Sequence, residues 1–162
     1  MAAATIFNDL KADHDRHRQL LSAIADAKGD KKTRADLFEK LRVDVSGHAA
    51  AEEQSLYATM MMDPDMQDDA RHSVSEHKEV DDMLTELYEL EVDSPEWGEK
   101  FAKMRTRYDH HITEEEEEMF PEAAEHLSDA DEARLAKIFE ARKPAESQKA
   151  AETDPTEKEE KE

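Results

Sequence analysis

The sequence predicts an all-α protein, on three observations. Apolar residues recur at steps of three and four along most of the chain, and no stretch alternates with period two for long enough to form a strand. Breaks are sparse, with three Gly and five Pro in 162 residues, so the helices should be long. Shifted by 63 positions, the chain overlays on itself: His14 falls on His77 and His48 on His111. Self-similarity of this kind marks a duplicated unit.

Each element follows from its stripe. The first helix carries Ile6, Leu10, Leu21 and Ile24 on one face, with His14 and His17 at the same spacing, and ends near Gly29-Asp30. The second carries Leu37, Leu41, Val45, His48, Glu52 and Leu56 and ends at Asp63-Pro64-Asp65. The third runs through Ala70, Val74, His77, Leu84 and Leu87 to Asp93-Ser94-Pro95. The fourth has Trp97, Phe101, Met104, Tyr108, His111, Glu115 and Met119, with a break at Pro121. Ser94 followed by Pro95 suits the cap and first position of that helix. A short fifth helix is expected after Ser128, using Leu135, Ile138 and Phe139. From Pro144 onward the chain is densely charged with almost nothing to bury, which predicts a disordered acidic tail over 144–162 and one folded domain over 1–143.

Composition narrows the function. Against 22 Lys and Arg stand 43 Asp and Glu, a formal net charge of −21. Such a chain is repelled by a phosphate backbone and by an anionic membrane surface, so neither nucleic acid nor membrane is expected as a partner. No cysteine is present, which excludes disulfides, thiolate metal sites and a Cys nucleophile. The N-terminus lacks a basic start followed by a long apolar run, and the expected location is the cytoplasm.

The chemistry lies in the repeat. The same 63-residue shift carries Glu52 onto Glu115, Glu53 onto Glu116, Leu56 onto Met119, Tyr57 onto Phe120, Phe38 onto Phe101, Leu21 onto Leu84 and Val45 onto Tyr108. Two helical hairpins related in this way would pack as a four-helix bundle with pseudo-twofold symmetry. Residues at i and i+4 share a helix face, so His48 with Glu52, and His111 with Glu115, can reach one cavity. His14 and His77 add one imidazole each. Four imidazoles and two carboxylates fit a dinuclear centre with a His pair on each ion and the Glu residues shared, most naturally di-iron. A single histidine on an apolar stripe is commonly a hydrogen-bonded core residue. Burying this whole set without a cation costs several kcal/mol per unpaired charged group, whereas a bound transition metal can return about 10 kcal/mol or more. The ferritin-type Glu-x-x-His motif is absent, as are the zinc-protease, phosphate-loop and nucleophile-elbow motifs. The run Glu114 to Glu118 lacks the glycine and loop of an EF-hand and reads as a solvated face apart from Glu115.

Asp13-His14 with His17-Arg18, His48-x-x-x-Glu52-Glu53-x-x-Leu56-Tyr57, Glu76-His77, and His111-x-x-x-Glu115-Glu116-x-x-Met119-Phe120-Pro121 stand in a fixed order. Over about residues 5 to 142 the chain resembles the hemerythrin-like HHE cation-binding domain family. The resemblance implies an up-down-up-down four-helix bundle around a non-haem di-iron centre. It also implies dioxygen binding, oxygen or iron sensing or, in some members, peroxide or nitric oxide chemistry. Carried over by position, the metal ligands are His14, His48, Glu52, His77, His111 and Glu115. The cofactor implied is two iron ions (Fe2+/Fe3+), which an oxo or hydroxo group can bridge.

The chain departs from hemerythrins proper at two places. Ser73 stands where they carry a further third-helix histidine, and Glu116 stands where they carry the Asp of a His-x-x-x-x-Asp pair. A missing imidazole leaves more open positions and favours redox reaction or sensing over reversible oxygen carriage. The expected partner is dioxygen or another small oxidant. The competing readings are a redox enzyme acting on peroxide or nitric oxide, and an iron store or sensor without catalysis. Among the remaining histidines, His17 is a further ligand or a group that orients one, and His72 could swing toward the vacant position. His110 belongs to the surface and His126 to the structure. Phe38, Leu41, Val45, Phe101, Met104 and Tyr108 form the expected apolar shell.

Overall fold

A computed structural model of the chain describes residues 5–157; among these the fold is all-helical, with no strand. In chain order the elements are α1 (Ile6–Asp26), α2 (Lys31–Glu52), a π-helical turn (Glu53–Tyr57), α3 (Ala58–Met61), α4 (Gln67–Glu89), α5 (Pro95–Glu114), a second π-helical turn (Glu115–Met119), α6 (Phe120–His126) and α7 (Asp129–Glu152).

The local chemistry sets the boundaries. Thr5 Oγ1 accepts from the Asn8 N–H to open α1, and Gly29, at φ +96°, supplies the left-handed residue that reverses the chain into α2. Asp30 caps α2 by accepting from the Thr33 N–H. Ser94 accepts from the Trp97 N–H with Pro95 behind it, as the sequence predicts for the fourth long helix. Ser128 and Asp131 close a capping box on α7.

Two apolar clusters flank a polar layer. One holds Ile6, Leu10, Leu56, Met60, Met119, Phe120, Leu135 and Phe139. The other holds Leu21, Ile24, Phe38, Leu41, Val45, Leu84, Trp97, Phe101, Met104, Tyr108 and Ile112. Along α1, α2, α4 and α5 the buried His and Glu residues fall between the stretches that feed these two clusters, so these four helices meet through side chains of metal-ligating type at mid-height.

Three features differ from the sequence-based expectation. Pro121 does not end the fourth helix, because it sits at the second position of α6, just after the π turn. The change there from five-residue to four-residue bonding leaves one donor–acceptor pair unmade, so the missing proline N–H costs little. The fifth helix is not short, and residues 144–152, expected to be disordered, continue it to Glu152. Residues 158–162 of the expected tail lie outside the described residues.

Beyond Phe139, α7 is held by close backbone approach and ion pairs rather than by large apolar side chains. A Cβ on Gly47 would fall 2.0 Å from Ser147 Oγ and 2.9 Å from Ser147 Cα, so only glycine lets α2 and α7 pack this closely. Lys143 Nζ reaches Asp13 Oδ2 at 2.8 Å and Asp44 Oδ1 at 3.2 Å. Gly→Ala in a helix normally stabilises by up to about 1 kcal/mol. Here Gly47→Ala is expected to destabilise by about 1–3 kcal/mol through overpacking, read as a lower melting temperature.

Candidate metal centre

All six residues singled out in the sequence converge in one buried cavity. His14, His48, His111, Glu52 and Glu115 are at most 2% exposed, and His77 is 7% exposed. The rings form two pairs, His14 with His48 at 5.1 Å between centroids and His77 with His111 at 4.8 Å. Each carboxylate spans both pairs. Glu52 Oε1 lies 3.6 Å from His48 Nε2 and 3.2 Å from His77 Nε2, while Glu115 Oε1 lies 3.7 Å from His14 Nε2 and 2.9 Å from His111 Nε2. Donor atoms of Glu52, His77, His111 and Glu115 all fall within 4.8 Å of one another.

A second ring of carboxylates fixes which nitrogen faces inward. Nδ1 of His48 donates to Asp13 (2.8 Å) and Nδ1 of His111 to Glu76 (3.0 Å). Nδ1 of His14 donates to Glu116 (2.7 Å) and Nδ1 of His77 to Glu53 (3.1 Å). Asp13 and Glu76, and likewise Glu53 and Glu116, are 63 positions apart, so the duplicated unit repeats its hydrogen bonds as well as its inward groups. With a proton committed to each Nδ1, Nε2 is the nitrogen that each ring turns to the cavity, free to bind a metal once any proton on it has left. Such outer partners orient ligands and raise their basicity, and losing one typically costs 10- to 100-fold in metal affinity, about 10- to 100-fold being expected for Asp13→Asn. A metal-binding isotherm checks that, with circular dichroism to confirm the fold.

The inward atoms fit a cation. Nε2 of His14, His48 and His111, both oxygens of Glu52 and Oε1 of Glu115 are buried without a hydrogen bond of regular geometry to any other described group, His111 Nε2 and Glu115 Oε1 facing each other as an ion pair at 2.9 Å. Buried polar atoms are almost always hydrogen-bonded, so six such atoms aimed at one cavity call for a common partner. In the metal-free protein protons take part of that role. Burial pushes the Glu52 carboxyl well above its ordinary value, and the neighbouring charge of Glu115 adds to the rise. Burial also acts to raise Glu115, but the His111 charge outweighs it and holds that carboxyl well below the usual range. Burial alone would lower His111, yet the Glu115 charge raises it to about 9. His48 is pushed down to about 3, chiefly by burial.

The other expectations resolve individually. His17 offers no nitrogen to the cavity, since Nδ1 bonds the Tyr108 hydroxyl at 2.7 Å and Nε2 bonds Asp44. Glu116 is taken up by His14 and by Arg18 at 3.0 Å and stays outside. His72 does not swing inward; it is 56% exposed and faces Glu76 and Glu114. His110 is exposed and paired with Glu114 at 3.1 Å. His126 lies 3.5 Å from Asp63. Ser73 is buried, with Oγ toward Met119 Sδ at 3.7 Å.

Sequence reasoning passed over Tyr57 as the apolar counterpart of Phe120. Its hydroxyl donates to Glu115 Oε2 at 2.7 Å and lies 3.5 Å from His77 Nε2, which puts a phenol at the cavity wall beside Ser73. The only signal was the break in the repeat, Tyr against Phe. Both π turns were also missed. Ala58 N–H reaches back to Glu53 O, in a turn directly after Glu52, and Phe120 N–H to Glu115 O, in a turn that Glu115 itself begins. Turns of this kind are frequent at functional sites.

A helical fold around a buried His and Glu cavity of this composition defines a cation-binding protein, and the comparisons agree. The chain matches the hemerythrin HHE cation binding domain over residues 5–123. It belongs to that family and is a metal-binding protein. It is similar in fold to a crystal structure of a hemerythrin HHE cation binding domain-containing protein from Mycobacterium kansasii. That likeness has a TM-score of 0.79 at 22% identity and covers 90% of this chain and 89% of the other. Among curated proteins, none matches this chain by sequence.

Proposed function

We propose that the protein is a hemerythrin-like non-haem di-iron protein, an up-down-up-down four-helix bundle that binds dioxygen or a related small oxidant in the cytoplasm. The observation that carries this reading is the orientation of the four imidazoles. Each gives its Nδ1 proton to a carboxylate, leaving two pairs of Nε2 atoms facing two carboxylates that each span both pairs. Imidazole and carboxylate donors in these numbers suit two iron ions. Bound iron would supply exchangeable electrons and open positions for a small oxidant.

The chain's own residues do the rest. Phe38, Leu41, Val45, Phe101, Met104 and Tyr108 belong to the buried apolar cluster on one side of the centre and limit water access from that end. The outer carboxylates hold the imidazoles in one tautomer and orientation. A groove of 370 Å³ between α2 and α4, lined by Ala49, Ala50, Glu53 and His77, leads to the most exposed of the six inward residues and gives a small oxidant its approach. The test is anaerobic reconstitution with ferrous iron followed by air. A ligand-to-metal absorption band is expected, and its absence from iron-loaded protein would overturn the reading.

Two observations favour a redox enzyme acting on peroxide or nitric oxide over a simple binder. Ser73 offers no imidazole, and Tyr57 places a phenolic proton at Glu115 Oε2. Stopped-flow turnover separates the two, since an enzyme consumes peroxide catalytically and loses rate in Tyr57→Phe.

A further inference from the structure

We infer a second, solvent-facing metal site, formed by His72 Nε2, Glu76 Oε1 and Glu114 Oε1, that takes a single borderline divalent cation such as Zn2+. His72 and Glu76 are one turn apart on α4, and Glu114 ends α5 beside them. His72 Nε2 lies 3.3 Å from Glu76 Oε1 and 3.6 Å from Glu114 Oε1, and one donor atom from each of the three residues falls within 4.8 Å of the others. A tetrahedral ion with bonds of about 2.0–2.1 Å spaces its ligands about 3.4 Å apart, so little movement is needed to close this set around one ion. The fourth position faces water. His110 Nε2, 3.1 Å from Glu114 Oε2, holds the other oxygen of that carboxylate and leaves Oε1 turned to His72.

The duplication supplies an independent argument. Glu76 repeats Asp13, and both accept the Nδ1 proton of an inward histidine. On the Asp13 side a cation completes the arrangement. Lys143 Nζ from α7 sits 2.8 Å from Asp13 and 3.2 Å from Asp44, and Arg16 Nη2 is 2.8 Å from Asp13. On the Glu76 side the guanidinium of Arg107 stands off at 4.0 Å and is committed to Glu79 at 2.6 Å. Beside Glu76 the chain places a second carboxylate and an imidazole instead. A buried carboxylate whose repeat partner carries a lysine, and which here meets metal-ligating side chains, is suited to a metal ion in the lysine's role. Glu76 Oε1 also accepts from His111 Nδ1 at 3.0 Å, so one oxygen would serve the surface ion and orient a residue of the buried centre.

The experiment is equilibrium dialysis of the full chain against Zn2+, after the buried centre has been saturated. Wild-type protein is expected to take up one further equivalent. His72→Ala and Glu114→Gln, both surface changes, are each expected to weaken that equivalent by at least about 10-fold, while His126→Ala leaves it unchanged. With the buried centre filled by diamagnetic Zn2+, the His72 imidazole resonance followed during the titration reports the site without any iron present, so failure here and failure of the di-iron reading are distinguishable. No further equivalent in wild type, or an equivalent that survives His72→Ala at full affinity, would overturn the assignment.

Discussion

Stripping the metal from the protein is expected to lower its melting temperature by about 5–10 °C. A ligand held at 100 times its dissociation constant stabilises the folded state by about 2.7 kcal/mol, and a domain of this size shifts by roughly 2–4 °C for each kcal/mol. The effect is this large because metal removal leaves the inward atoms of Glu52, Glu115 and the four histidines without their common partner, in a cavity that is at most 7% exposed at any of them. The double variant Glu52→Gln with Glu115→Gln should melt at the same temperature with and without chelator. Thermal unfolding of the four samples side by side checks both statements. A wild-type protein indifferent to chelation would mean that the cavity is satisfied without a cation.

Metal affinity is expected to fall with acid, by at least about 10-fold for each pH unit between pH 8 and 6. The sign follows from the metal-free protein. His111 is raised to about 9, so it holds a proton through this window and must release it to a metal, and the upward displacement of Glu52 acts in the same direction. Each proton displaced contributes a factor of about ten per pH unit. The same shifts govern stability without metal. A group whose folded value is raised stabilises the fold while it stays protonated and loses that contribution as pH rises, for His111 from about 6.5 through about 9. The stabilisation gained on adding metal should therefore grow from pH 6 to pH 9. Isotherms at three pH values, with the protons released measured calorimetrically, test the slope; a flat profile would contradict it.

Helical content and the inward residues were legible because both repeat. A helix stripe is a period in sequence, and a His or Glu that interrupts the stripe twice at the same register stands out without any structure. The outer carboxylates were visible as residues but not as partners. Asp13 and Glu76 precede an inward histidine in sequence yet hydrogen-bond to the histidine on the next helix, a cross-helix contact that no local pattern encodes. α7 was underestimated for a different reason. The hold of its C-terminal half on the bundle comes from the Gly47 and Ser147 approach, from Lys143 between two aspartates and from Arg142 to Gln54 at 2.8 Å, none of which registers as hydrophobic periodicity. Pro144 also falls inside the helix, where sequence reasoning expects a stop. The π turns add one residue to an otherwise regular register, which composition does not reveal.

If Glu52, Glu115 and the four paired imidazoles together hold two ions, the metal-to-protein ratio shows it most directly. Elemental analysis of iron-loaded protein, after exchangeable surface ions have been washed away, should give about two irons per chain, falling below about one in Glu52→Gln with Glu115→Gln. A wild-type ratio below about one, or a ratio that the double variant leaves unchanged, would contradict the account.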